Sequence, residues 1–247
     1  MLGAKIINMK AVIIDYRTDE EIVISLKKLG FKVIPTTFND SVSTPLCGHA
    51  DMQICKCADD LYVCAPVCFE YYKKRLAEYN VKIICGNTDL DCNYPGDIAY
   101  NVAWMGKLMI HNFKYTDLYI RQFAIQANLK TINVSQGYSK CNICIVSDNA
   151  VITSDRGIYN TLIDNNIDVL LISEKNIGIV GWEYGFIGGA SGKISKNTLA
   201  FCGDITAHPD YRKIADFCLK YDVKCVSLSK KRLMDLGSII LVDDTIV

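Results

Sequence analysis

The sequence has 247 residues, of which 50% are hydrophobic, and its 27 acidic and 27 basic residues give a formal net charge of zero. This composition supports a sizeable hydrophobic core and gives no overall electrostatic attraction to nucleic acid or to an anionic membrane. No apolar run approaches the length that crosses a bilayer. We therefore predict one domain over residues 1–247, with no nucleic-acid partner and no membrane partner.

The distribution of the twelve cysteines disfavours a secreted disulfide framework, because most of them lie inside apolar strand or helix patterns. Cysteine used in this way, as a small hydrophobic residue, is typical of a reducing compartment. Residues 1–15 carry two lysines before an apolar run that ends in Asp15, which is not the pattern of a signal peptide. The predicted location is the cytoplasm.

Apolar runs and turn residues recur along the chain in the order strand, strand, helix, strand. The clearest case is residues 137–173, where strands are predicted at 143–146 and 151–153 around a Ser-Asp-Asn turn. A helix follows, with Ile158, Leu162 and Ile163 on one face, and a third strand is predicted at 168–172.

Four other stretches follow the same order. The first has strands at 10–16 and 31–36 with a helix between them, and the second has strands at 52–57, 61–65 and 81–85 with a helix that begins at Pro66. The third has strands at 98–105, 108–111 and 130–134, and the last has strands near Lys193, at 199–203 and at 223–228. The chain then ends in a single strand at 238–242.

The two ends of the chain complement each other, since the first stretch lacks an opening strand and the C-terminus supplies one. When the residues just before each opening strand are aligned, they recur at nearly even intervals and are Asp51, Asp97, Asn142, Ala190 and Ser238. Units that close by sharing their ends form a ring, with the opening strands around a central axis. We therefore expect a functional site near this axis.

Five such units, the first closed by the C-terminus, resemble the pentein or guanidino-group-modifying enzyme fold. This family includes arginine and agmatine deiminases, dimethylarginine hydrolases and amidinotransferases. The resemblance implies a five-bladed α/β propeller. The Gly-Asp pair that ends in Asp97 is similar to the family's substrate-gripping motif, and the segment from His49 to Asp51 is similar to its His-x-Asp segment, which supplies an acid/base.

Two features depart from the family pattern. The His-x-Asp segment precedes the Gly-Asp segment, which is the reverse of the deiminase order. The C-terminal segment 237–241, where the family places its nucleophilic cysteine, contains no cysteine. The usual nucleophile is therefore missing, and another residue must take its place if the protein is an enzyme.

Cys141 is the candidate nucleophile, because it lies one place before the aligned position, where the other units have Ala or Gly. A neighbouring base or a bound cation would lower the pKa of its thiol and activate it. The alternative is that this position simply requires a small residue. The nominal Cys-x-x-Cys at 141–144 enters a strand, where residues three apart point to opposite faces, so we predict no metal site. No cofactor is predicted.

His49 is the candidate general acid/base, and Asp51 and Asp97 are candidates for binding a cationic guanidinium or amine. The alternatives are a loop histidine bonded to the backbone and aspartates that support turns. Asn142, Ser191 and Ser238 complete the predicted substrate-binding set. The Gly-rich stretch at 188–192 is expected to allow close approach at the axis, with the aromatic loop before it as a lid.

Two functions remain open at this point. One is a hydrolase or transferase that acts on a small guanidino or amine compound in an axial pocket. The other is a non-catalytic pentein that binds a macromolecule, as the ribosome anti-association factor of similar fold does. The missing C-terminal cysteine favours the second function, whereas the neutral composition and the aligned reactive residues favour the first.

Overall fold

Fifteen short strands form five separate three-stranded sheets in the computed structural model, which describes residues 10–242. The ends of the predicted 1–247 domain therefore lie outside the described residues. The strands in chain order are β1 (Ala11–Ile14), β2 (Lys32–Pro35), β3 (Ile54–Lys56), β4 (Leu61–Cys64), β5 (Lys82–Cys85), β6 (Ala103–Met105), β7 (Leu108–His111), β8 (Lys130–Asn133), β9 (Cys144–Ser147), β10 (Ala150–Thr153), β11 (Asp168–Leu171), β12 (Ser191–Ser195), β13 (Thr198–Phe201), β14 (Lys224–Ser227) and β15 (Ile240–Val242).

Seven α-helices accompany these strands in the described part of the chain. They are α1 (Glu20–Lys28), α2 (Ala50–Gln53), α3 (Phe69–Arg75), α4 (Leu118–Gln126), α5 (Ser139–Asn142), α6 (Arg156–Asp164) and α7 (Tyr211–Leu219). Short 3-10 turns at Pro66–Cys68 and Ile205–Ala207 precede α3 and α7. None of the helices described is long and apolar enough to span a lipid bilayer.

Every sheet has the same topology. A first strand pairs antiparallel with a middle strand, and the middle strand pairs parallel with a third strand that follows a crossover helix. In the remaining sheet, β15 supplies the first strand and pairs with β1, which pairs with β2. The predicted closure of the first unit by the C-terminal strand is therefore confirmed.

The unit that contains α6 illustrates why these sequences fold in this way. All four residues of β10 are buried, as expected for a middle strand that is apolar on both faces. Asp155 caps α6 by accepting a hydrogen bond from the Ile158 N–H at 2.7 Å. Ile158 and Leu162 are the buried face of the helix, and Asn166, with φ of 62°, ends it in the left-handed conformation.

The first strands surround a central axis. β12 packs against both β9 and β15, and residues of all five first strands line one cavity of about 660 Å³. We call this cavity the axial channel. Its wall includes the hairpin-turn residues Asp59, Gly106 and Asp148 on one side and reaches Asp51 and Lys140 on the other. The predicted ring of opening strands around an axis is thus present.

The hairpin registers correct the predicted alignment of the units. In every sheet the third residue of the middle strand pairs with one residue of the first strand. These partners are Cys55 in β3, Ala103 in β6, Cys144 in β9, Gly192 in β12 and Ile240 in β15. The residues two places earlier are Gln53, Asn101, Asn142, Ala190 and Ser238.

Asp51 and Asp97 were therefore placed wrongly in that alignment. The strand predicted at 98–105 begins only at Ala103, after turns at 99–100, and the strand predicted at 52–57 is preceded by the helical turn α2. Cys141 is equivalent to Met52 and Tyr100 in this register, so the position does not require a small residue.

Candidate active site

A buried polar cluster lies where the chain approaches the first strands β3, β9 and β15. The cluster contains His49, Asp51, Cys141, Asp235 and Ser238, each at most 2% exposed. Three different units of the ring contribute these residues, which are far apart in sequence. Because polar groups are costly to bury, a concentration of them at the axis indicates a functional site.

The thiol of Cys141 contacts the carboxylate of Asp51. Sγ lies 3.1 Å from Asp51 Oδ2, to which it donates a hydrogen bond. Burial raises the pKa of this thiol well above its usual value, and the negative charges of Asp51 and Asp235 raise it further. Cys141 is therefore a neutral thiol, contrary to the lowered pKa that was expected for a nucleophile.

The side chain of Asn101 positions Cys141. Its Oδ1 accepts hydrogen bonds from the backbone N–H groups of Lys140 at 2.8 Å and Cys141 at 3.3 Å, and its Nδ2 lies 3.2 Å from the Cys141 sulfur. Asn101 is completely buried. Asn101 was not among the predicted site residues, because the predicted register placed Asp97, not Asn101, at the aligned position.

Ser238 joins Asp51 to Lys140. Its hydroxyl donates to Asp51 Oδ2 at 2.7 Å, and Lys140 Nζ donates to the same hydroxyl at 3.0 Å. Ser238 has φ of 73°, which is unusual for a residue other than glycine and is typical of strained functional segments. The preceding Gly237 packs so closely on His49 that an added Cβ would lie 2.3 Å from the His49 Cβ.

His49 faces the buried carboxylate of Asp235. The distance from His49 Nδ1 to Asp235 Oδ1 is 3.8 Å. Asp235 accepts hydrogen bonds from the backbone N–H groups of Phe186 at 2.9 Å and Gly237 at 3.0 Å. Burial raises its pKa to about 6, with His49 opposing the shift and Asp51 adding to it.

Three of these side chains offer ligand atoms for a cation. One atom each from His49, Asp51 and Cys141 lies within 4.8 Å of the others. His49 Nδ1 and Asp51 Oδ1 are both buried without a hydrogen-bond partner. The prediction of no metal site considered only the spacing of cysteines along the chain, and spacing does not detect a set assembled from different units.

Asp97 lies under an aromatic cover and does not join the cluster. The Tyr138 hydroxyl donates to Asp97 Oδ2 at 2.7 Å, and the Tyr138 ring packs against Tyr94 and Trp182 with centroid distances of 5.5 Å and 6.0 Å. Burial raises the pKa of Asp97. Trp182 belongs to the loop that was predicted to act as a lid, and in this structure that loop contributes to the cover over Asp97.

The structure brings together four of the seven predicted site residues: His49, Asp51, Cys141 and Ser238. The other predicted binders besides Asp97 have local partners. Asn142 donates to the Tyr138 carbonyl oxygen at 2.9 Å, and Ser191 donates to the Ile187 carbonyl oxygen at 2.7 Å. Ser191 also lines the axial channel.

Asp235 and Lys140, like Asn101, were not among the predicted site residues. Asp235 lies in the loop before β15, three residues from Ser238, and Lys140 directly precedes Cys141. Only their proximity in sequence to two predicted residues pointed to them.

Solved structures of three enzymes share the fold. A DDAH from Pseudomonas aeruginosa, a Cys-to-Ser variant complexed with citrulline, has a TM-score of 0.59 and 9% identity, covering 96% of this chain and 99% of that one. An amidinotransferase from Microseira wollei, of the saxitoxin biosynthetic pathway, has a TM-score of 0.57 and 12% identity over 91% and 78% of the two chains. An agmatine deiminase from C. jejuni has a TM-score of 0.51 and 10% identity over 90% and 88%.

These likenesses confirm the predicted pentein fold. In sequence, a family model described as "Family of unknown function (DUF6873)" matches residues 13–240. No protein with a curated description matches the chain.

Proposed function

We propose that this chain, which belongs to the family of unknown function DUF6873, is a hydrolase or transferase acting on a small guanidino or related amine compound. The observation that carries the proposal is the buried contact of Cys141 with Asp51, beside His49. Of these three residues Asp51 also lines the axial channel. A nucleophile, a carboxylate and an acid/base within one buried cluster are the groups that amidino-group transfer needs.

The pocket suits a small cation. Asp51 Oδ2 is already bonded to Ser238 and Cys141, whereas Oδ1 is buried and has no partner. A guanidinium N–H that donates to Oδ1 would satisfy this oxygen and gain a charge-assisted hydrogen bond. The positive charge would also oppose the fields of Asp51 and Asp235, which lowers the pKa of the Cys141 thiol toward the physiological range.

The reaction then proceeds by covalent catalysis. Cys141 loses its proton to His49, and the thiolate attacks the central amidino carbon to form a C–S bond. The C–N bond to the leaving amine breaks as His49 returns the proton to that nitrogen. In a hydrolase, water then attacks the same carbon and releases a urea-type product and the thiol, whereas in a transferase a second amine takes the amidino group.

Asp235 has a supporting role in this scheme. As a carboxylate 3.8 Å from His49 Nδ1, it stabilises the imidazolium that forms when His49 takes the thiol proton. It is itself held by two backbone N–H groups, which fixes its position. Gly189 permits this arrangement, because an added Cβ would lie 1.9 Å from Asp235 Oδ1.

The axial channel supports a small-molecule substrate. Its volume of about 660 Å³ lies within the range of about 300–1,000 Å³ that is usual for small-molecule sites. The alternative function, binding of a macromolecule, would use the outer surface and does not require the buried contact of Cys141 with Asp51.

The fold agrees with the proposal. Solved structures that share the fold are named as a dimethylarginine dimethylaminohydrolase, an amidinotransferase and an agmatine deiminase. The chain departs from the pentein pattern in the order of the His-x-Asp and Gly-Asp segments and in its C-terminal segment, where Ser238 stands and the resemblance implies a cysteine. We assign the nucleophile to Cys141, which lies across Asp51 from Ser238.

The experiment is a turnover assay on a panel of guanidino and amidino compounds that measures ammonia, amine and urea release. The wild-type protein is compared with Cys141→Ala and with Cys92→Ala, whose thiol is exposed and distant in sequence from the cluster. We expect release with at least one compound by the wild-type protein and Cys92→Ala, and none by Cys141→Ala. Turnover that survives in Cys141→Ala would refute the assignment of the nucleophile.

A cytoplasmic location is part of the proposal. All twelve cysteines are free and most are buried, which fits a reducing compartment. Fractionation of cells that express the tagged chain tests this, and recovery of the protein outside the cytoplasm would contradict it.

A further inference from the structure

The same cluster has the composition of a metal site. His49, Asp51 and Cys141 offer a nitrogen, an oxygen and a sulfur ligand within 4.8 Å of one another, and each residue is at most 2% exposed. His49 Nδ1 and Asp51 Oδ1 lack hydrogen-bond partners. We propose that this pocket is also a binding site for a thiophilic divalent cation, with Zn²⁺ as the best fit. The proposal goes beyond the enzymatic function and does not depend on it.

The distances agree with such an ion. Zinc binds sulfur at about 2.3 Å and histidine nitrogen or carboxylate oxygen at about 2.0–2.2 Å, so two ligands of a tetrahedral ion lie about 3.4–3.7 Å apart. The observed ligand atoms lie within 4.8 Å of one another, and they reach the tetrahedral spacing when the side chains move toward the ion by up to about 1 Å. A mixed nitrogen, oxygen and sulfur set is typical of zinc and disfavours Mg²⁺ and Ca²⁺, which prefer oxygen alone.

The charge of the pocket favours a divalent cation. Asp51 and Asp235 are both buried, and the negative charges of both act on the Cys141 thiol. Lys140 is separated from Asp51 by the Ser238 hydroxyl. A bound Zn²⁺ would offset the two carboxylates and the thiolate together, whereas a guanidinium brings only one positive charge.

Metal binding and catalysis would exclude each other in this pocket. An ion held by Cys141 keeps the sulfur as a coordinated thiolate, so the sulfur is not free to attack an amidino carbon. Binding also releases the thiol proton, which makes the affinity rise with pH. This consequence rests on the proposed function: a bound Zn²⁺ would inhibit turnover, because it occupies the nucleophile and the carboxylate that the substrate cation would need.

Titration of the chelator-treated protein tests the proposal, with Zn²⁺ by calorimetry and with Co²⁺ by absorbance. We expect one ion per chain, and for Co²⁺ a thiolate-to-metal band in the near ultraviolet with visible bands of tetrahedral coordination. Cys141→Ser should remove the thiolate band and weaken binding by at least ~100-fold, and His49→Gln and Asp51→Asn should weaken it as well. Circular dichroism verifies that each variant is folded.

Two control variants address the other cysteines. Cys57→Ser changes a buried pair in which the Cys57 and Cys55 sulfurs lie 3.8 Å apart, and Cys92→Ser removes an exposed thiol. Both should bind Zn²⁺ and Co²⁺ as the wild-type protein does. The proposal is overturned if the wild-type protein takes up neither ion, if Cys141→Ser keeps the thiolate band, or if a control variant loses it.

Failure of this proposal differs from failure of the proposed function. Turnover of a guanidino compound without uptake of Zn²⁺ or Co²⁺ refutes the metal site and leaves the enzyme assignment intact. Metal uptake that depends on Cys141, without turnover of any compound in the panel, refutes the enzyme assignment and leaves the metal site intact. If both hold, added Zn²⁺ should abolish turnover and a chelator should restore it.

Discussion

The sulfur of Cys141 lies 3.1 Å from Oδ2 of Asp51, although the two residues belong to different units of the ring. The contact places the candidate nucleophile directly on a buried carboxylate. Burial raises the pKa of this thiol and the charge of Asp51 raises it further, so the sulfur is protonated. A substrate cation bound near Asp51 and Asp235 would offset their negative charges and lower the pKa of the Cys141 thiol. Several of the predictions below depend on this effect.

The first prediction concerns the reactivity of Cys141. In the unliganded protein near pH 7.5, iodoacetamide should modify Cys141 more slowly than the exposed Cys92, because a buried neutral thiol is a poor nucleophile. Asp51→Asn removes a negative charge beside the sulfur and should speed labelling of Cys141, because each unit by which the pKa falls raises the thiolate fraction by about tenfold. Peptide mass spectrometry measures both rates. Faster labelling of Cys141 than of Cys92 in the unliganded wild-type protein would contradict the resting thiol.

The second prediction concerns substrate binding by Asp51. On any substrate that the panel identifies, Asp51→Asn should raise KM and lower kcat/KM by about 100-fold or more, since it removes the charge that holds the cation. Asp164→Asn, an exposed aspartate at the end of α6, is the matched control and should leave kcat/KM unchanged. Steady-state kinetics on the two variants gives the comparison, and an unchanged KM in Asp51→Asn would remove Asp51 from the binding role.

The third prediction concerns the pH dependence of turnover. The pKa of Asp235 is raised to about 6, so this group is a carboxylate above pH 6 and a neutral acid below it. Only the carboxylate stabilises the His49 imidazolium, and kcat should therefore fall as the pH decreases through about 6. Asp235→Asn should lower kcat at pH 7.5 and remove the decrease of kcat at acidic pH. If kcat of Asp235→Asn still falls in the same way near pH 6, a group other than Asp235 titrates at that pH.

The fourth prediction concerns stability and involves His111, outside the cluster. Nε2 lies 3.1 Å from the Gly137 carbonyl oxygen and must donate to it, so Nδ1 accepts from the Thr116 hydroxyl at 2.6 Å. Burial lowers the pKa of His111 to about 4. The unfolded chain therefore takes up this proton at higher pH than the folded protein does, and the folded state loses stability as the pH falls from about 6.5 to about 4.

His111→Gln provides the comparison for this stability effect. The free energy of unfolding of the wild-type protein should fall by about 3 kcal/mol more than that of the variant between pH 7 and pH 4. Urea denaturation at a series of pH values measures the two slopes. Parallel slopes would show that His111 does not contribute to the acid sensitivity.

Much of the fold could be predicted from the sequence, because its signals are local. Turn residues such as the Ser-Asp-Asn at 147–149 separate the two strands of a hairpin, and the apolar face of α6 is visible in the spacing of Ile158 and Leu162. The closure by β15 followed from an unpaired strand at each end of the chain. The register of the first strands was less accessible, since short helical turns and loops of different length precede them.

The site was predicted only in part for the same reason. His49, Asp51, Cys141 and Ser238 were found because they lie close to the starts of the first strands. Asp97 was predicted because it follows a glycine. The turns between Asp97 and β6 place it outside the cluster, where it is bonded to Tyr138. Asn101, Lys140 and Asp235 have no distinctive motif, and their roles depend on contacts across the ring.

Attack of Cys141 on an amidino carbon would leave a covalent intermediate on the sulfur, and trapping of this intermediate is the sharpest test of the proposed reaction. The protein is mixed with each guanidino and amidino compound of the panel, quenched in acid within the first turnover, and analysed by intact-mass and peptide mass spectrometry. We predict that at least one compound leaves an amidino adduct on the Cys141 peptide, and that this adduct is absent from Cys141→Ala. An adduct on a different residue, or release of product without an adduct on Cys141, would contradict the account.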